Sequence, residues 1–305
     1  MEVRSNMQAV EAKSILIPNK YPAGWFGTKY TMNLYRGCDI QCIYCDSRSE
    51  RYGIDEFHNV TVKTNALELL RKELAAKRSK ESTIGTGSMS DPYTLMERKL
   101  LMTRRALQMI AEFRFPVHIT TKSNLILRDS DILQQLSTKY ASVAVTITTA
   151  NEELARKLEP HAASSSERFR TLAELEKLGV MTTMLMMPIL PYLEDHLDNI
   201  NELVERAAAA GVKHIIAAFG VTLRDRQRAY FYQKLDEGFP GLSDRYRRTF
   251  GLAYECKSKN EKELELRFRE ACSLHGISTE MPYYQPPAAD SFQLSLFDDE
   301  ECSYG

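Results

Sequence analysis

Short β-branched runs alternate through the middle of this chain with longer stretches whose apolar residues recur every three or four positions. The first kind of run reads as a strand and the second as an amphipathic helix. Strands are expected at residues 32–37, 82–87, 117–121, 142–148, 181–187 and 214–218, and helices at about 95–113, 129–137, after 148, and 197–210. In the last of these helices Ile200, Leu203, Val204 and Ala207 fall on one face, at the spacing of core contacts. Strands separated by helices form βα units around a parallel sheet, and six such units suggest three quarters of a barrel. The expected fold is α/β: a partial (βα)6 TIM-type barrel of parallel strands over residues 29–219. An N-terminal segment (1–28) precedes it, and a C-terminal helical extension (220–285) and a linker with a flexible tail (286–305) follow. Parallel barrels carry reactive groups at the carboxyl ends of their strands, so chemistry is expected there.

Composition narrows the setting. With 305 residues, 43% of them hydrophobic, the chain can bury a barrel-sized core. A net charge of -1 excludes a global field that steers the protein to phosphate. The longest apolar stretch, 181–193, is interrupted by Pro188 and Pro191 and is too short to span a bilayer. Residues 1–18 lack the basic start and continuous apolar core of a signal peptide. No membrane partner is expected, and the cytoplasm is the expected location. Six cysteines do not read as a disulfide framework, because three are clustered while Cys256, Cys272 and Cys302 are scattered. Cys272 shares a helical stripe with Leu264 and Phe268, the place of a small buried hydrophobe.

The clustered three are Cys38, Cys42 and Cys45, in the run Arg36-Gly-Cys-Asp-Ile-Gln-Cys-Ile-Tyr-Cys-Asp46. Gly37 before them permits a backbone angle closed to other residues. A four-iron cluster normally takes four thiolates, so three from one loop leave one iron open to a group that is not protein. The alternative is a three-cysteine zinc site completed by a distant ligand such as His58, although structural zinc prefers a second cysteine pair and none stands here. The six histidines share no metal-like spacing.

The Cys-x-x-x-Cys-x-x-Cys spacing resembles the signature of the radical S-adenosylmethionine (SAM) enzymes, which commonly have a partial barrel. That resemblance implies a 4Fe–4S cluster on Cys38, Cys42 and Cys45, SAM as cofactor, an electron donor as partner, and Tyr44 beside the adenine of SAM. The loop Ser82-Thr-Ile-Gly-Thr-Gly-Ser-Met-Ser-Asp-Pro-Tyr93, taken with the cysteines, resembles the spore photoproduct lyase group. It implies cofactor contacts from Ser88, Ser90 and Asp91, with Ser90 and Asp91 at the methionine end. By the same resemblance Lys122 reaches the SAM carboxylate, and Thr148 or Thr149 lies at the fourth strand. For the serines a turn or helix cap is the alternative. This chain departs from the lyase at two places: Ser88 stands where the lyase has a hydrogen-donating cysteine, and Asp46 where it has a tyrosine. A hydroxyl donates a hydrogen atom poorly, so thymine-dimer reversal by the lyase route is not expected. Glu159-Pro160 with Ser164-Ser-Ser-Glu-Arg168 reads as a substrate-facing loop or, by the bland alternative, as a helix cap before Glu167.

The tail carries a different signal. Gln293-Leu-Ser-Leu-Phe297, between Pro286-Pro-Ala-Ala and Asp298-Asp-Glu-Glu301, resembles the pentapeptide by which bacterial polymerases and repair proteins dock on the sliding clamp. Gln293, Leu294, Leu296 and Phe297 are its expected contacts; packing back on the chain's own domain is the alternative. Residues 220–250 hold seven basic residues against four acidic, interleaved with Tyr230, Phe231, Tyr232, Tyr246 and Phe250, a composition that suits stacked bases or a solvated helix face. The leading expectation is a radical SAM enzyme acting on nucleic acid, in DNA repair or modification. A protein or small-metabolite substrate, and a nonenzymatic adaptor held by a structural metal, are the alternatives.

Overall fold

A computed structural model of the chain describes residues 8–287. Its strands are β1 (Gln8–Val10), β2 (Leu16–Pro18), β3 (Thr28–Met32), β4 (Tyr35–Arg36), β5 (Thr61–Lys63), β6 (Thr83–Thr86), β7 (Val117–Thr121), β8 (Ala141–Thr146), β9 (Met181–Ile189), β10 (His214–Thr222) and β11 (Glu255–Lys257). Its helices are α1 (Ala66–Ala76), α2 (Glu97–Leu100), α3 (Met102–Glu112), α4 (Ser130–Ser137), α5 (Glu152–Leu158), α6 (Ser165–Lys177), α7 (Leu197–Ala209), α8 (Asp225–Gly238), α9 (Leu242–Phe250) and α10 (Glu261–Leu274).

The β-branched runs pair side by side. One sheet of eight strands runs β11-β10-β9-β8-β7-β6-β3-β2. Its six central strands, β3 and β6 to β10, are mutually parallel. Short antiparallel strands, β2 on β3 and β11 on β10, finish the two ends, so the sheet stays open as a partial barrel. Parallel strands are covered on both faces, and accordingly every position of β6 and of β8 is buried. The helices bury one stripe each: Ile200, Leu203, Val204 and Ala207 on α7, and Leu264, Phe268 and Cys272 on α10. At the amino end of the barrel, Phe26 stacks on His118 with ring centres 3.9 Å apart. No helix of the described residues is long and apolar enough to cross a membrane.

Several elements differ from the sequence reading. The strand expected at 32–37 is two strands in different sheets: Met32 ends β3 in the barrel, while Tyr35–Arg36 forms β4 in a small sheet ordered β1-β5-β4. Gly37 then turns the chain at φ +80°, and any Cβ there would stand 2.7 Å from the Phe57 carbonyl oxygen. The helix expected at 95–113 breaks at Leu101, whose φ is +53°. There the buried Glu97 carboxylate accepts the Thr103 amide at 2.9 Å and starts α3 afresh. The fourth barrel strand stops at Thr146, short of residue 148, and β10 continues to Thr222 because β11 pairs with its last three residues. Helix α1 and the short strands β1, β2 and β5 lie where no element was expected, β11 lies within the extension expected to be helical, and the boundaries expected at 28/29 and 219/220 fall inside β3 and β10. Residues 288–305, with the Gln293 to Phe297 motif and Cys302, lie outside the described residues.

Candidate active site

The cysteine loop leaves β4 and lies across the carboxyl ends of the barrel strands. Gly37 lets Cys38 donate its amide to Phe57 O at 2.8 Å, and Gln41 adopts φ +60°, so the chain curls tightly enough for Cys45 N to reach Cys42 O at 3.4 Å. The described cysteines, these three included, are free thiols. Burial pushes the Cys38 thiol well above its usual range, with Asp91 and the other two thiols adding to it. Burial likewise pushes Cys42 up to about 12, opposed by Lys122 and assisted by Glu159 and Cys45. Thiolates in so dry a place need a cation beside them, and binding a metal would supply it while releasing the protons.

Opposite the thiols stands the loop after β6. Gly87, at φ +94°, has no room for a side chain, since a Cβ would lie 1.9 Å from Thr120 O; this close packing brings Ser88 to Asp91 over the cysteines. Asp91 is spent on bracing. Its carboxylate accepts Tyr93 N at 2.9 Å, the Thr121 hydroxyl at 2.8 Å and Lys122 N at 2.7 Å, tying this loop to the end of β7. Ser90 points its hydroxyl to Tyr35 O at 3.5 Å. Burial would lower the Lys122 ammonium, yet Cys42, Glu159 and Cys45 outweigh it and hold the group charged, well above its usual range.

Cys38, Cys42, Cys45, Ser88, Ser90, Asp91 and Lys122 therefore line one cavity. It is small, about 110 Å3, beside cavities of about 420 Å3 against α10 and about 690 Å3 at α8; convergent chemistry singles it out rather than size. His58 is exposed and lines no part of it, so the zinc reading loses the distant ligand suggested for it. Among the described residues no three His, Cys, Asp or Glu side chains converge as ligands of one ion. Three soft thiols on one turn suit an iron–sulfur cage.

Two expected residues are placed elsewhere. Tyr44 is buried behind the turn and donates its phenol to the Glu159 carboxylate, with its ring 5.7 Å from Lys122 Nζ. Thr148, beyond the end of β8, faces Glu194 and not the cavity, where Thr146 stands instead. Burial raises Glu194 to about 8, with Glu159 adding to the rise. Sequence reasoning also missed the pair Glu159 and Arg168, 2.6 Å apart and almost wholly buried. The available signal was an arginine on the apolar stripe of α6, beside Phe169, Leu172 and Leu175. Ser164 and Glu167 form a capping box on α6, the bland alternative for that segment.

The basic and aromatic run at 220–250 is only partly available as the stacking surface its composition suggested: Arg245, Arg247 and Arg248 stay exposed, while other members turn to the protein itself. Phe231, Tyr232 and Tyr246 are buried in a core beneath the cysteine loop. Arg224 pairs with Asp46 at 3.0 Å, Arg226 with Asp55 at 2.9 Å, and Arg228 donates to the carbonyls of Leu223, Gly251 and Ala253. Arg245 stacks on Tyr192 at 3.8 Å.

Comparison with known proteins meets this geometry from the sequence side. The radical SAM superfamily profile matches residues 32–204. An uncharacterised protein of Mycobacterium tuberculosis (strain ATCC 25618 / H37Rv) is 30% identical over 240 residues, covering 76% of this chain and 70% of that one. A radical SAM Nα-GlyT isomerase of Pseudomonas phage M6 is 27% identical over 224 residues, covering 67% of this chain and 46% of the isomerase. Among solved structures, a spore photoproduct lyase variant with bound AdoMet and dinucleoside spore photoproduct superposes with TM-score 0.66 at 15% identity, covering 88% of this chain and 79% of that one, which is a likeness of fold.

Proposed function

The chain belongs to the radical SAM superfamily, enzymes whose cofactors are a 4Fe–4S cluster and SAM, and on that premise we propose that Cys38, Cys42 and Cys45 hold the cluster and leave its fourth iron to SAM. The observation that carries this is the single cavity in which three free thiols face Ser88, Ser90 and Lys122 across the strand ends. When bound, cluster and SAM supply a carbon-centred radical that takes a hydrogen atom from the substrate. The chain's own residues hold and shield. Lys122 keeps a fixed positive charge beside the thiolates and stands ready for a carboxylate, the Ser88 and Ser90 loop offers hydroxyls at close range, and Ile40 and Met89 narrow the access of water. With Ser88 in place of a thiol, the hydrogen returned to product comes from another source than in the lyase.

Nucleic acid, in repair or modification of DNA, is the proposed substrate class. Two things support it: the fold shared with a protein solved with a dinucleoside photoproduct, and the clamp-like pentapeptide Gln293, Leu294, Leu296 and Phe297 in the tail. The proposal includes a bacterial sliding clamp as partner, an electron donor and a cytoplasmic setting. The engagement of Arg224 and Arg226 with Asp46 and Asp55, and of Arg228 with backbone carbonyls, favours a second reading, a peptide or small-metabolite substrate.

The test is anaerobic reconstitution, reduction and assay of SAM cleavage. Formation of 5'-deoxyadenosine is expected; none from protein carrying a full cluster ends the enzymatic proposal. Removal of residues 293–305 is expected to abolish clamp binding, and an unchanged affinity would remove the best support for DNA.

A further inference from the structure

We infer that Glu159 is a positioning residue: through the Tyr44 phenol it holds the Cys42 to Cys45 turn in the shape a cluster requires, and Arg168 holds Glu159 in turn. The inference rests on the cluster reading above and concerns what lies behind the thiols rather than in front of them.

The end of α5 and the stretch that follows it grip the cysteine loop at successive points. Leu158 O accepts Ile43 N at 2.9 Å, the Glu159 carboxylate accepts the Tyr44 phenol, and His161 N donates to Ile40 O at 3.2 Å. Two residues on, Ala163 N donates to Lys122 O at 3.2 Å, so the same stretch ties the cysteine loop to the strand end that carries the cavity's lysine. From the other side Gln227 Nε2 donates to Tyr44 O at 3.0 Å. Tyr44 is thus fixed at both ends, and it stands between two ligand positions of the turn.

Glu159 is itself fixed. Arg168 Nη1 lies 2.6 Å from its carboxylate and also donates to Thr146 O at 2.6 Å, where Thr146 lines the cavity. The two side chains are 1% and 2% exposed. Desolvation makes such a pair a poor source of stability compared with apolar side chains of the same volume. Its value lies in direction: a phenol held by a carboxylate is short, charge-assisted and angle-specific. The partners that orient metal ligands from behind commonly change metal affinity by about 10- to 100-fold when removed. Charge adds a second effect, because Glu159 offsets the positive charges of Arg168 and Lys122 beside Cys42.

Three proteins decide the matter: wild type, Tyr44→Phe and Glu159→Gln, each reconstituted anaerobically. Iron and sulfide content, the rate of iron loss to a ferrous chelator, the EPR-monitored midpoint potential and the melting of the apoprotein are compared. Tyr44→Phe, which leaves the buried Glu159 carboxylate one donor short, is expected to melt a little below wild type yet remain folded, and at a temperature well below either melting point to lose iron about ten-fold faster. Glu159→Gln, which keeps an acceptor for the phenol and drops the charge, is expected to shift the midpoint to more positive potential. Iron loss and midpoint indistinguishable from wild type in both variants would overturn the inference. If Glu159→Gln does not fold, Tyr44→Phe decides alone by its iron loss. A wild-type protein that takes up neither iron nor sulfide would instead overturn the cluster reading from which the inference starts.

Discussion

The two largest packed regions of the described residues are built by different rules. Between the sheet and its helices the core is apolar and regular: Leu107, Val143, Leu203 and Ile215 are wholly buried and come from periodic positions of neighbouring elements. At the carboxyl ends of the strands a second core joins Cys38, Cys42 and Tyr44 to Val221, Phe231 and Tyr246, pieces far apart in the chain. Ionisable groups are buried beside it, with Glu159 and Arg168 paired and Glu194 raised to about 8 by burial, which favours its neutral form. The first region stores stability in area, which tolerates exchange among similar side chains. The second spends polar groups on holding a turn in place.

Breaking the second region while sparing the first gives the largest expected effect. Cys42→Ser should reduce iron retention and SAM cleavage to background, while the circular dichroism and melting of the apoprotein stay as in wild type; a cluster of normal EPR spectrum in this variant would contradict the assignment. The converse change is Leu203→Ala on α7, wholly buried against the sheet. It should cost about 2–5 kcal/mol in denaturant unfolding, and leave the EPR spectrum of the reconstituted cluster unaltered in the cold.

A smaller effect sharpens the comparison inside the barrel. His118 sits under Phe26 with its ring nitrogens 3.1 Å from the hydroxyls of Ser142 and Thr120, and burial lowers it to about 3. Unfolded chains protonate histidine below about pH 6.5, whereas this folded protein does not protonate His118 until about pH 3. Stability should therefore fall as pH falls through that window, by up to about 1.4 kcal/mol per unit from this group. His118→Gln should make the loss between pH 7 and 5 smaller by about 2 kcal/mol, and an unchanged slope would refute the assignment. Smallest is Ser164→Ala at the start of α6, which removes the bond to Glu167 N at 3.2 Å and should cost about 1 kcal/mol without altering iron retention.

Much of the first region was readable in the chain. The face of α7, the stripe of α10 and five of the six parallel strands follow from periodicity, because neighbours on one helix or strand are neighbours in sequence; the first, β3, lies, but for Met32, ahead of the run at 32–37 in which it was expected. The thiol motif was visible for the same reason, since three cysteines within one loop are neighbours in sequence. The break at Leu101 was not, because it depends on Glu97 being buried against Tyr35 and Arg128, which belong to other elements. Nor was the inward turn of Phe231 and Tyr246: their spacing is compatible with an exposed or a buried face, and only the position of α8 and α9 under the cysteine loop decides between them.

The chain alone determined the alternation of strands and helices, the barrel class and the thiols proposed as cluster ligands, all of which reside in local spacing and side-chain chemistry. Tertiary structure decided what stands behind and around the ligands. Tyr44 and Glu159 are 115 residues apart, and their bond exists only because the sheet order carries the end of α5 beneath the cysteine loop. Periodicity cannot encode such a meeting, since a buried polar contact is selected by the geometry of the assembled fold and leaves no repeat in the sequence.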